Sequence, residues 1–98
     1  MTQTERISHM ENCLNDSRKA IDSLANALEM YRAVQGKITE LSSYYDSEQW
    51  RRDFEDDEAG RLPADLKRGV LSEDAVYDLL NDNREILDDM AGIIRERV

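Results

Sequence analysis

Cysteine is nearly absent from this chain: among 98 residues, Cys13 is the only one. A disulfide within the molecule is therefore excluded, and a reducing compartment is the natural setting. Helix breakers are as scarce, with Pro63 the single proline and only four glycines. No apolar run approaches the length of a membrane span. The opening residues Met1-Thr2-Gln3-Thr4-Glu5-Arg6 lack the apolar stretch of a signal peptide. The expectation is a cytoplasmic protein. No alternating strand pattern and no internal repeat stands out.

Positive charge is also in short supply, at 13 Lys and Arg against 22 Asp and Glu, a net of −9. The imbalance is local. Residues 1–45 hold 5 basic and 6 acidic side chains, a net of −1, while residues 46–98 hold 8 and 16, a net of −8. An acidic surface repels phosphate backbones and anionic lipid, so neither nucleic acid nor membrane is the expected partner.

What the chain does have is helical periodicity. From Ile7 to Ile38 the inward positions of a heptad read Ile7, Met10, Leu14, Ser17, Ile21, Leu24, Leu28, Tyr31, Gln35 and Ile38. A further column at seven-residue spacing reads Cys13, Ala20, Ala27, Val34 and Leu41. The stripe is wider than a minimal coiled-coil seam and can face two neighbours. Thr2 and Glu5 have the spacing of a capping box. The pattern predicts one long helix over about 3–45, with a break at Gly36 as the alternative.

Asp46 is the expected cap of a short helix over about 47–58, with Gln49 completing a capping box and Tyr45 and Trp50 forming a hydrophobic staple. Trp50 and Phe54 share a face of that helix. Gly60 is its expected stop. Residues 59–71 read as a connector in which Leu66, Val70 and Leu71 pack down, with room for a single turn over 64–68. Ser72 suits the cap of a last helix over about 73–96. That helix carries the stripe Val76, Leu79, Leu80, Ile86, Leu87, Met90, Ile93 and Ile94, with Asn83 in the seam. The expected fold is a single all-α domain: two long, roughly antiparallel amphipathic helices forming a helical hairpin, plus one short helix in the connection. The last helix is too short to cover the whole first one. Ile7, Met10 and Leu14 would then project as a self-association surface.

The stretch from Tyr44-Tyr45-Asp46-Ser47-Glu48-Gln49-Trp50 to Asp74 resembles the bacterial DUF4298 family. The most specific piece is Leu62-Pro63-Ala64-Asp65-Leu66-Lys67-Arg68-Gly69-Val70-Leu71-Ser72-Glu73-Asp74, followed by Tyr77. The resemblance implies a small bacterial helical protein and brings no activity, cofactor or catalytic residue with it.

Several constellations invite a chemical reading. The acidic run Asp53–Glu58 offers oxygens to a hard cation, but it is no EF-hand: a loop starting at Asp53 puts Glu58 where glycine is needed and Ala64 where the bidentate Glu belongs. A solvated charged face is the plainer account. Glu55-x-x-Glu58 with Glu85-x-x-Asp88 resembles, by spacing alone, the paired acidic motifs of all-α nucleotide pyrophosphatases, which hold Mg²⁺ on carboxylates. Yet Ile86, Leu87 and Met90 take the inward face, which turns Glu85 and Asp88 to solvent.

His9 and Cys13 stand at i, i+4, but two ligands do not make a zinc site. Cys13 reads more simply as a small buried hydrophobe. Asn83 either fixes register in an apolar seam or sits at a wet edge. Lys67-Arg68-Gly69 lacks the Gly-rich lead of a P-loop.

Tyr44, Tyr45, Trp50 and Phe54 hold four of the six aromatics, close in sequence to Arg51, Arg52, Arg61, Lys67 and Arg68. Aromatics and arginines dominate protein-binding hot spots, so Tyr44, Tyr45, Trp50, Arg51, Lys67 and Arg68 are the interaction candidates. The competing account has the aromatics capping the end of the hairpin while the basic residues pair with neighbouring acids. The expected function is a non-catalytic helical interaction or regulatory protein, with a homodimer as one form of it, and with no cofactor and no metal. A carboxylate-dependent hydrolase and a small-ligand binder at the aromatic and basic cluster are the alternatives.

Overall fold

The computed structural model describes residues 1–97. They are all-α, with three α-helices and no strand among them: α1 (Gln3–Tyr45), α2 (Glu48–Glu58) and α3 (Ala75–Arg97), with a 3-10 turn (Gly69–Leu71) between the last two. The chain divides into two units, Met1–Gln35 and Gly36–Val98.

Met1–Gln35 contains a single element, the N-terminal part of α1. The helix starts where the sequence places it: Thr2 Oγ1 accepts from the Glu5 backbone N–H at 3.1 Å and donates to the Glu5 carboxylate at 3.0 Å. This satisfies one of the orphan amide groups of the first turn. Every side chain of this stretch is exposed except Cys13 and Tyr31, which are half-exposed. Cys13 is therefore half-exposed rather than the buried hydrophobe that its residue type suggests.

The second unit begins at Gly36, and α1 continues through that residue to Tyr45. The apolar phase persists on both sides, and one glycine costs only about 1 kcal/mol against alanine. The following turn corrects the expected cap. Ser47, not Asp46, is the N-cap of α2: its backbone is extended and its Oγ accepts from Trp50 N–H at 3.2 Å. Serine and aspartate compete for this place with nearly equal capping strength. Ser47 wins because its hydroxyl also donates back to the Tyr44 carbonyl, closing the turn from both sides.

At the other end, α2 stops in a Schellman motif. The Gly60 N–H bonds the Asp57 carbonyl at 3.1 Å and the Arg61 N–H bonds the Asp56 carbonyl at 2.9 Å. Gly60 has a φ of +71°, where a Cβ is disfavoured. The connector turns at Ala64 and Asp65, within the 64–68 expected for a single turn, where the Leu66 N–H bonds the Pro63 carbonyl at 3.2 Å, and it forms a further 3-10 turn at Gly69–Leu71. Leu71 is drawn inward there, and the turn's hydrogen bonds run from Leu71 N–H to Arg68 O and from Ser72 N–H to Gly69 O. Ser72 Oγ accepts from Ala75 N–H at 3.1 Å and starts α3.

Within Gly36–Val98, α2 and α3 both pack on the 3-10 turn. Leu71 from that turn, 5% exposed, and Val76 from α3, 3% exposed, are the only hydrophobic side chains buried among the described residues.

Two glycine substitutions test this account by urea denaturation. Gly36→Ala meets nothing within 4 Å and should raise stability by about 0.5–1 kcal/mol. Gly60→Ala also has open space around it, yet its positive φ should make it lower stability by about 1–2 kcal/mol.

Candidate functional site

The aromatic and basic cluster gathers at the end of α1, the start of α2 and the connector. Capping by Ser47 fixes the first turn of α2, and this turn carries Trp50. The Trp50 ring meets Tyr45 edge-on at a centroid distance of 5.1 Å and stacks on Phe54 at 5.2 Å, one helical turn along. The indole N–H donates to the Val70 carbonyl at 3.0 Å. Trp50 thus ties the connector to α2. The Tyr45 hydroxyl donates to the Glu73 carbonyl at 3.2 Å, tying the end of α1 to the start of α3.

The basic residues of the cluster have divided roles. Arg68 pairs with Asp57 at 3.3 Å, with both side chains half-buried, and this pins the connector to α2 a second time. Arg61 pairs with Asp56 at 3.0 Å and Arg51 with Glu48 at 3.4 Å, both on the exposed surface. Such exposed pairs contribute little. Lys67 and Arg52 are exposed and have no ion pair among the described residues.

The titration of Tyr44 is displaced upward. Its hydroxyl donates to the Asp53 carboxylate. Partial burial, then this hydrogen bond, then the negative charge of Asp53 together push its pKa from 10.0 up to about 12. Lys37, Glu40, Leu41 and Tyr44 line a recess of about 380 Å³ along the last turns of α1.

Of the six interaction candidates, the structure brings Tyr44, Tyr45, Trp50 and Arg68 into contacts within the chain, engages Arg51 with its own helix, and leaves Lys67 open. Ile7, Met10 and Leu14 lie on α1, each 56% exposed. Glu55 and Glu58 are exposed on α2, and Glu85 and Asp88 are exposed on α3. Among the described residues, no three His, Cys, Asp or Glu side chains come together as a metal site, so the four carboxylates of the hydrolase reading do not converge. His9 Nε2 and Cys13 Sγ approach to 3.7 Å as a lone pair. Asn83 is half-buried and makes its own contacts within the chain.

Asp53 and Asp57 are the site residues the sequence reading passes over. Both sit in the acidic run and both accept from partners outside it. The signal was their spacing: they recur at i, i+4 on the face of α2 beside Trp50 and Phe54, whereas Glu55 and Glu58 point away.

A family model described as "Domain of unknown function (DUF4298)" matches residues 7–93. Nothing among the curated proteins or the solved structures matches the chain. Among the described residues, no helix is long and apolar enough to cross a membrane.

Trp50→Phe keeps the stacking but strips the Val70 carbonyl of its donor, and should lower stability by about 1 kcal/mol in urea denaturation. The Tyr44 contact stabilises fully below pH 10.0 and is lost as pH rises through about 12, because the folded state holds the proton more tightly. Subtracting the tyrosinate absorbance titration of Tyr44→Phe from that of the native chain should leave a curve centred near 12. Asp53→Asn should move this curve down.

Proposed function

We propose that this chain, which belongs to the DUF4298 family over residues 7–93, is a non-catalytic helical protein whose role is to associate with another polypeptide through α1. The observation that supports this is the exposed stripe: Ile7, Met10, Leu14, Ile21 and Leu24 are each more than half exposed at heptad spacing. Scattered surface leucines need no explanation, but a contiguous apolar stripe marks an interaction surface.

The energetics point the same way. Ordering a residue costs about 1–2 kcal/mol of backbone entropy, and the described residues bury only Leu71 and Val76 to offset it. A chain with so small a core depends on burial it gains elsewhere. Part of that burial comes from the roughly antiparallel hairpin expected of α1 and α3, since Leu79, Ile86, Leu87, Ile93 and Ile94 leave α3 with an open stripe of its own. The eight residues from Ile7 through Met10 to Leu14, and those beyond, are left for a partner.

The reading assigns no reaction to the chain, places it in the cytoplasm, and gives the aromatic cluster the task of holding the connector. The test is affinity capture of the tagged full chain from cells that make it, beside the same chain carrying Leu14→Glu. One polypeptide, an untagged copy of the chain included, should be retained in stoichiometric amount by the native chain and released by Leu14→Glu. A monodisperse monomer that retains the same proteins with and without the substitution removes the reading.

A further inference from the structure

We draw no further inference here: the strongest candidate, the exposed apolar column Leu79, Ile86 and Ile93 of α3 with the carboxylates of Asp78, Asp82 and Asp89 along one flank, is an unpartnered helix face, and nothing in the structure shows what covers it.

Discussion

The hydrogen bond from the Trp50 indole to the Val70 carbonyl holds together what little tertiary structure the second unit has. Helix α2 has no buried side chain of its own, and the 3-10 turn is too short to be stable alone. Their contact is made by one ring that stacks on Phe54, leans on Tyr45 and reaches across to the connector's backbone. Once the ring is in place, Leu71 is carried inward beside Val76, and Arg68 comes within reach of Asp57. Each later contact is weak. They are useful because the first one has already met the entropic cost of bringing the connector back.

This arrangement gives the aromatic cluster its meaning. Aromatics and arginines near one another in sequence are also what a binding hot spot looks like. Here Tyr44, Tyr45, Trp50 and Arg68 spend their polar atoms on Asp53, the Glu73 carbonyl, the Val70 carbonyl and Asp57. A partner at this place would have to compete with those bonds. On α1, by contrast, the apolar side chains Ile7, Met10, Leu14, Ile21 and Leu24 are each more than half exposed.

The acidic run illustrates how composition misleads about roles. Asp53, Asp56 and Asp57 each accept from a partner outside the run, while Glu55 and Glu58 stay in water. The helical period divides them: three residues on or near the packed face are used to hold Tyr44, Arg61 and Arg68, and the remainder give the surface its charge.

The sequence by itself determined the helices and most of their ends. The heptad of α1, the Thr2–Glu5 cap, the Gly60 stop and the Ser72 cap are local, and local sterics and hydrogen bonding decide them whatever the rest of the chain does. Membership of an all-α class follows from the same periodicity. The choice between the adjacent capping residues Asp46 and Ser47 is local as well, but it turns on a bond back to the Tyr44 carbonyl that capping preference alone does not reveal. Tertiary structure added a 3-10 turn at Gly69–Leu71, where the Val70 carbonyl accepts from the Trp50 indole twenty residues earlier. It also separated the acids that hold partners from those that do not. Trp50 with Val70, Asp57 with Arg68 and Tyr44 with Asp53 pair across separate elements, and one-dimensional periodicity records which face a residue occupies but not what stands opposite it.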